Sequence, residues 1–289
     1  FHAKAVLCDP RNESARGLLL TANLVDVDLE ANVEVAIELD RHRTASLFQV
    51  LRWAFWEAAE HELLEPKRLH AVVPSDTAAW PTLDHGVVAA SAEEDTLTPA
   101  ITNMISAALT RVVVTNFGWE GDHPVVEALH RAATRGVEVV VVGRASVRAR
   151  RSTAALLSLV NSGAKVVGWD RLHAKVVIAD DRSCLVHSAN FTASEDASSL
   201  EIGALLTGRD ATAVRAIVEG WVEGAPWTLR ASSTLGEVAE RYVDLTGGHW
   251  NDRTVVDIID AALPDIEAAD LRDLSVAPDL PADGQPADE

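Results

Sequence analysis

Apolar residues between positions 96 and 207 follow two alternating spacings along the chain. In three segments they recur every three or four positions, which predicts amphipathic helices. Short, nearly continuous apolar runs lie between and after these segments, and they predict strands buried on both faces. The predicted helices are 101–109, 123–135 and 153–161, and the predicted strands are 111–117, 137–142, one from 166, 173–179, 184–188 and 200–206. This alternation predicts an α/β fold with helices on both faces of a sheet.

Residues 1–40 repeat only the last third of that order, with predicted strands at 2–7, 17–21 and 33–39. The downstream unit carries residues 96–172 ahead of its matching strands, whereas the upstream unit carries one residue. An internal repeat of this kind predicts two related units, the first of them truncated and incomplete. We therefore expect the first unit to have an exposed strand edge, or a missing N-terminal segment or partner chain that covers it.

The segments outside the two units complete the predicted organisation. Residues 44–62 have the apolar stripe of an amphipathic helix, 66–95 have the composition of a loop, and 210–224 form a further helix. The predicted domains are 1–40, the C-terminal part of the first repeat; 41–95, a helix and linker; 96–208, the complete second repeat; 209–275, a helical extension; and 276–289, a disordered acidic tail.

Composition indicates a globular chain, with 48% hydrophobic and 24% charged residues among 289. No run of eighteen apolar residues occurs, so the sequence predicts no membrane span. Cys8 and Cys184 lie within apolar runs and are interpreted as small buried residues of a reduced, cytoplasmic protein.

The net charge of −19 argues against a polyanionic substrate, but the charge is unevenly distributed. Residues 257–289 carry ten acidic residues and one basic residue, which accounts for −9. Residues 131–175 carry nine Lys or Arg against two acidic residues and are locally +7. This basic stretch is either a solvated face or a rim that attracts phosphates, and the sequence leaves both open.

One constellation of polar residues occurs twice at nearly the same spacing. In both copies a His-Ala-Lys is followed by an Asp five residues after the Lys, and an Asn is followed by a Glu eleven residues later. The two sets are His2, Lys4, Asp9, Thr21, Asn23 and Glu34, and His173, Lys175, Asp180, Ser188, Asn190 and Glu201.

These residue types suit phosphoryl transfer. Alternate strand residues share a face, so each His and its Lys point the same way. One imidazole can attack phosphorus while another protonates the leaving oxygen, and Lys, Asn and hydroxyl groups can hold the phosphate oxygens. A carboxylate on the far ring nitrogen would fix the tautomer, and Glu is favoured over Asp because an Asp at a strand end more often makes a turn contact. A lone strand His is more often a core or surface residue, but two matched copies favour the catalytic interpretation.

With its doubled His-x-Lys-x4-Asp motif, the chain resembles the phospholipase D superfamily. The resemblance implies two pseudo-symmetric repeats and cleavage without a metal or cofactor through a phosphohistidine, with His2 as nucleophile and His173 as general acid and then base. It also implies that Lys4, Lys175, Asn23 and Asn190 hold the phosphate. The family's Gly-Ser is Leu20-Thr21 in the first copy, and His187 replaces the Gly before Ser188. We expect His187 either to touch substrate or to face outward.

The substrate is less determined than the chemistry. The basic stretch and the lack of an evident membrane segment or lipid-docking patch favour a bacterial nuclease-like member acting on DNA or RNA. A phospholipid-acting phospholipase D or a cardiolipin-synthase-like phosphatidyltransferase is the alternative. A non-catalytic scaffold is a further one.

Overall fold

The computed structural model describes residues 2–58, 61–65, 68–71, 79–144, 150–180, 182–192, 199–234 and 237, and the fold is a mixed α/β one, as predicted. The strands are β1 Ala5–Cys8, β2 Arg16–Leu20, β3 Ala36–Leu39, β4 His61–Glu65, β5 Arg68–Ala71, β6 Val87–Ala90, β7 Arg111–Thr115, β8 Glu138–Gly143, β9 Lys165–Gly168, β10 Val176–Ala179, β11 Ser183–His187, β12 Glu201–Thr207 and β13 Trp227–Leu229. The helices are α1 Asp26–Ala31, α2 Arg41–Ala58, α3 Leu97–Ala107, α4 Pro124–Thr134, α5 Arg150–Asn161 and α6 Gly208–Glu223.

Eight strands form the large sheet, in the order β13-β9-β8-β7-β10-β11-β12-β6. The central β7, β8 and β9 are parallel and are joined by α4 and α5, because parallel neighbours need a crossover connection. All other neighbouring pairs in this sheet are antiparallel. The sheet is therefore mixed, and its parallel part corresponds to the alternating apolar pattern.

Helices cover both faces of the large sheet, as expected. Alternate residues of β8 divide between two apolar cores: Val141 packs with Leu129 of α4 and Leu156 of α5, whereas Val142 lies on the other face. The second core also contains Val218 of α6, Val50 of α2 and Leu19 of the small sheet. Residues of both repeats thus contribute to this second core, which fixes the small sheet against the large one.

The small sheet is an antiparallel meander, β1-β2-β3, and its order matches that of β10-β11-β12 in the large sheet. β10 pairs with β7 on its other edge, but β1 pairs only with β2 among the described residues. Val6 and Leu18, which are paired across β1 and β2, are exposed.

Several boundaries differ from the sequence-based expectation. Residues 66–95 contain β5 and β6, and β6 is an outer strand of the large sheet. With β13 at the other edge, this sheet extends beyond the 96–208 range on both sides. The proline-rich, acidic composition of 66–95 conceals β6 because the strand has only four residues. The predicted tail 276–289 and the extension beyond 237 lie outside the described residues.

Candidate active site

The segments that carry the two histidines leave their own sheets and bond to the opposite repeat. The N–H groups of His173 and of the next residue both donate to Val33 O, at 3.0 and 2.8 Å. Those of His2 and of the next residue both donate to Leu200 O, at 3.1 and 2.8 Å. This pairing explains why the strands β1 and β10 begin later than the apolar pattern predicts. It also places each histidine at the boundary between the two sheets.

Each histidine is bonded to the glutamate of the other repeat. His2 Nδ1 lies 2.8 Å from Glu201 Oε1, and His173 Nδ1 lies 2.6 Å from Glu34 Oε1. A carboxylate at this position accepts the Nδ1 proton and leaves Nε2 as the reactive nitrogen. A glutamate, not an aspartate, contacts each histidine, as the sequence favours. The sequence does not predict that this glutamate comes from the other repeat.

The hydroxyl residues hold these glutamates in place. Thr21 Oγ1 donates to Glu34 Oε2 at 2.5 Å, and Ser188 Oγ donates to Glu201 Oε2. Each hydroxyl also accepts from the N–H of the residue that follows its glutamate, at 2.9 and 3.0 Å. Both side chains are fully buried, so they orient the carboxylates rather than bind phosphate. Thr21 makes the same contacts as Ser188, and its extra methyl group is accommodated.

The two lysines bring buried positive charge to the histidines. Lys4 Nζ donates to His2 O at 2.6 Å, and Lys175 Nζ donates to His173 O at 2.8 Å. Lys175 Nζ also lies 3.3 Å from His173 Nε2. Both lysine side chains are buried, which strengthens their attraction for an anionic group.

The two asparagines differ in their surroundings. Asn23 is exposed, whereas Asn190 is buried against the loop after β7. A Cβ atom added at Gly118 would lie only 3.1 Å from Asn190 Cβ, so a larger residue there would require Asn190 to shift by a few tenths of an ångström.

Asp180 was expected among the catalytic residues, but the structure places it at the end of β10 away from His173. Its carboxylate accepts the N–H groups of Leu109, Thr110 and Arg111 at 2.7, 2.8 and 3.0 Å, and also the Thr110 hydroxyl at 2.8 Å. Slight burial opposes ionisation, but these hydrogen bonds outweigh it and hold the pKa of Asp180 well below its usual range. Asp180 therefore fastens the start of β7 to the β10 turn.

Asp9 occupies the equivalent turn after β1 and is likewise remote from the histidines. Both Asp9 and Asp180 have a φ of 48°, a left-handed conformation that Asp tolerates in tight turns. Asp9 is exposed, and no described strand lies beside β1 as β7 lies beside β10. The structure thus places both aspartates, which were expected to be catalytic, in the turns after β1 and β10, at the opposite end of each strand from the histidine segment.

This difference predicts unequal effects on stability. Replacing Asp180 with Ala is expected to lower the free energy of unfolding by roughly 1–2 kcal/mol, since several charge-assisted hydrogen bonds are lost but solvent screens them. Asp9→Ala, the matched control, is expected to change it by less than about 0.5 kcal/mol. Urea unfolding at neutral pH measures both, and equal losses would contradict the assignment.

His173 lies in a more enclosed position than His2. Its side chain is 12% exposed, compared with 28% for His2, and its ring packs against Phe117 with centroids 5.3 Å apart. Burial lowers the pKa of His173, with the nearby charges of Lys175 and Lys4 acting in the same direction and Glu34 opposing them. The neutral imidazole is thus favoured at this position.

His187 neither touches the site surface nor faces outward. The ring is fully buried and packs against Phe191, with centroids 5.5 Å apart. Burial, followed by the charge of Lys175, lowers the pKa of His187 to about 3, so the ring is a neutral core residue.

The two cysteines differ in their exposure. Cys184 is buried, as expected, and burial raises the pKa of its thiol to about 12. Cys8 is exposed at the end of β1, so the apolar run around it gave the wrong environment. Both cysteines are free thiols.

Among the described residues of the basic stretch 131–175, four that can be placed do not share one surface. Arg131 pairs with Glu127 along α4, and Arg135 caps the end of α3 through Ile105 O at 3.2 Å. Lys175 lies inside the site, and Arg144 stacks over the Phe117 ring beside His173. Lys175 and Arg144 therefore lie at or beside the site, whereas Arg131 and Arg135 make contacts within the helical layer.

Sequence reasoning missed the loop after β7, which supports one wall of the site. The buried Asn116 donates from Nδ2 to Ala189 O at 3.1 Å and accepts from Gly118 N at 3.0 Å. Trp119 Nε1 donates to Asn116 O at 3.0 Å. The sequence does contain a signal for this loop. Polar and aromatic residues directly follow a buried strand, and ligands bind at such positions beyond the carboxyl ends of strands.

Comparison with known proteins identifies the family. Residues 101–219 match the family model described as cardiolipin synthase, phospholipase D-like domain. Residues 101–219, which include the second copy of the motif, thus form a phospholipase D-like domain. No curated protein sequence matches the chain.

Solved structures with a similar fold include three bacterial proteins. Phosphatidylserine synthase from Haemophilus influenzae has 11% identity and a TM-score of 0.55, covering 86% of this chain and 70% of its own. Polyphosphate kinase from Porphyromonas gingivalis has 14% identity and a TM-score of 0.52, covering 85% of this chain and 39% of its own. The phospholipase D family member Nuc from Salmonella typhimurium has 22% identity and a TM-score of 0.44, covering 50% of this chain and 97% of its own.

The described residues contain neither a membrane-spanning helix nor a cluster of metal ligands. None of the helices there is long and apolar enough to cross a membrane. Within the same residues, no three His, Cys, Asp or Glu side chains are grouped so as to hold a metal ion.

Proposed function

We propose that the chain is a metal-independent phosphodiesterase that acts through a covalent phosphohistidine, with nucleic acid as its substrate. One observation carries the proposal: each histidine has its Nδ1 on the other repeat's glutamate and a buried lysine at its own backbone oxygen. Two imidazoles oriented in matched ways on either side of one boundary are what a displacement at phosphorus requires.

The reaction divides into two displacements. In the first, Nε2 of a neutral histidine attacks phosphorus, the bond from phosphorus to the leaving oxygen breaks, and the second, protonated histidine gives its proton to that oxygen. In the second displacement, the histidine that gave up its proton is neutral and takes a proton from water as the water oxygen attacks phosphorus. The phosphorus–nitrogen bond then breaks and releases a phosphomonoester. Lys4 and Lys175 offset the charge that develops on the phosphate oxygens in both steps.

The geometry favours His173 as the nucleophile and His2 as the acid, the reverse of the order implied by the family resemblance. Lys175 Nζ lies 3.3 Å from His173 Nε2. Because the lysine ammonium has only N–H groups to present, Nε2 faces it with its lone pair and carries no proton. His2, whose side chain is the more exposed of the two, is then left to act as the acid.

The lowered pKa of His173 predicts the position of the acid limb in the pH profile. A bell-shaped profile is expected on an oligonucleotide, because one histidine must be neutral and the other protonated, whereas on bis(p-nitrophenyl) phosphate only the acid limb set by the neutral histidine is expected. Because a lower pKa keeps His173 neutral at lower pH, the acid midpoint should lie below the ordinary 6.5. Measuring kcat/KM on bis(p-nitrophenyl) phosphate from about pH 4 to about pH 9 tests this. An acid midpoint at or above 6.5 would contradict His173 as the neutral partner.

Phospholipid is the second candidate substrate, and one surface favours it. Leu24 and Val25 follow Asn23 directly and are 59% and 53% exposed, with Leu29 of α1 also exposed. Apolar side chains beside a phosphodiester site can enter a lipid surface. The sequence shows no evident lipid-docking patch, and these exposed residues are the surface that would serve as one. The matched family model, described as cardiolipin synthase, agrees with this alternative.

A paired assay distinguishes the substrates. The protein is incubated in EDTA with plasmid and single-stranded DNA, and separately with phosphatidylglycerol or phosphatidylcholine vesicles. Strand cleavage together with an acid-labile phosphoprotein adduct is expected, and cleavage of lipid alone would overturn the choice of nucleic acid. Loss of activity in EDTA would contradict the metal-independent mechanism. Absence of both adduct and cleavage would support a non-catalytic scaffold.

A further inference from the structure

A stack of three side chains extends outward from the reacting imidazole of His173. The Phe117 ring packs against the His173 ring, with centroids 5.3 Å apart and planes inclined at 59°. The Arg144 guanidinium carbon then lies 5.3 Å from the Phe117 ring centroid, within the range of a cation–π contact. Phosphoryl transfer by the two histidines uses neither Phe117 nor Arg144.

Both residues stand where α/β sheets bind ligands. Phe117 follows the end of β7 by two residues, and Arg144 directly follows β8, its parallel neighbour. The carboxyl ends of neighbouring parallel strands form a common edge at which ligands bind in open α/β sheets. Phe117 and Arg144 are each half-buried, so part of each side chain is accessible to a ligand.

Hydrogen bonds fix the loop on both sides of Phe117 before any ligand arrives. Asn116 bonds to the neighbouring Gly118 N and to Ala189 O, and Trp119 N donates to Ser152 Oγ at 2.9 Å. Asn116, Trp119 and Ser152 are all buried. A ring on a loop held this firmly loses little conformational freedom when a flat group stacks on it.

We propose that Phe117 and Arg144 form a subsite for the nucleotide next to the scissile phosphodiester. On binding, Arg144 turns from the Phe117 ring to the phosphate of that nucleotide, and its base takes the place of the guanidinium on the ring. The inference rests on the proposed function and specifies its substrate as single-stranded nucleic acid. Aromatic rings stack on bases of any sequence, and arginine pairs with phosphate through its planar fork. The combination is therefore suited to binding a strand without reading its sequence.

The test compares variants on substrates that contain or lack the neighbouring nucleotide. Arg144→Gln is expected to raise KM for a short oligothymidylate about tenfold and to reduce the salt dependence of binding by about one counterion. Its kinetics on bis(p-nitrophenyl) phosphate, which has no second phosphate, should be unchanged. Arg182→Gln removes the same charge from an exposed residue at the far turn of the β10–β11 hairpin and serves as the matched control.

Phe117 is tested with a second pair of substrates. Phe117→Leu is expected to raise KM about tenfold for the oligothymidylate but not for an oligomer of the same length whose neighbouring nucleotide lacks a base. Phe117→Tyr keeps an aromatic ring and should restore the unmodified KM, which a merely structural loss of packing would not predict.

The outcomes separate failure of the subsite from failure of the proposed function. Equal losses on oligothymidylate and on the small diester would contradict the subsite and show that the residues position His173. Cleavage of the small diester but not of oligothymidylate by the unmodified protein would contradict the nucleotide substrate and the subsite together. Cleavage of neither would contradict the phosphodiesterase proposal itself.

Discussion

His173→Asn is expected to lower phosphodiester cleavage by about 10⁴-fold or more on every substrate, because it removes the attacking nitrogen. His2→Asn is expected to behave differently with bis(p-nitrophenyl) phosphate, whose leaving group departs without protonation. The first displacement should then proceed once per site, and turnover should stop because no base activates water. The expected result is a burst of one nitrophenolate per protein and an adduct that persists.

Locating the adduct decides which histidine attacks. Acid-free mass spectrometry of the trapped His2→Asn protein should find the phosphoryl group on His173. A burst from His173→Asn with the adduct on His2 would reverse the assignment and restore the order that the family resemblance implies. Lys165→Gln is a suitable control, because Lys165 is an exposed strand residue outside the site and the variant should turn over normally.

The sequence predicts the parallel part of the fold well because its strands are buried on both faces. The four central residues of β8 are valines that are nearly or fully buried, so the apolar run is continuous and its helices have clear stripes. The outer strands lack this signal. β6 and β13 have only four and three residues, and they form because the sheet edges beside them offer backbone partners.

The sequence groups the two histidines with the two glutamates but does not give their pairing. Equal spacing in both copies fits a glutamate bonded to its own histidine as well as one bonded to the other, so Glu34 and Glu201 could not be assigned from sequence. The crossing depends on Val33 and Leu200, whose backbone oxygens receive the opposite histidine segment. His187 was misjudged for a related reason. A histidine in the sequence gives no indication of whether its side chain is buried. His187 is buried because it packs against Phe191 in the core.

Glu34→Gln and Glu201→Gln are each expected to lower kcat by about 10²- to 10⁴-fold. Each substitution is expected to act on the histidine of the other repeat. Glutamine preserves the shape but no longer stabilises the imidazolium or fixes the Nδ1–H tautomer. Since Glu201 contacts His2 at 2.8 Å, Glu201→Gln should resemble His2→Asn and give an adduct that accumulates on the nitrophenyl substrate. Because Glu34 contacts His173 at 2.6 Å, Glu34→Gln should slow adduct formation itself.

A kinetic comparison distinguishes crossed from direct pairing. With bis(p-nitrophenyl) phosphate, the burst rate should fall in Glu34→Gln and remain near the unmodified rate in Glu201→Gln, whereas the steady-state rate should fall in both. The reverse pattern would mean that each glutamate serves the histidine of its own repeat, or that His2 is the nucleophile. The adduct position determined with His2→Asn separates those two explanations. If the crossed pattern is found, neither repeat can orient its own histidine, and the chemistry requires both sheets to be packed together.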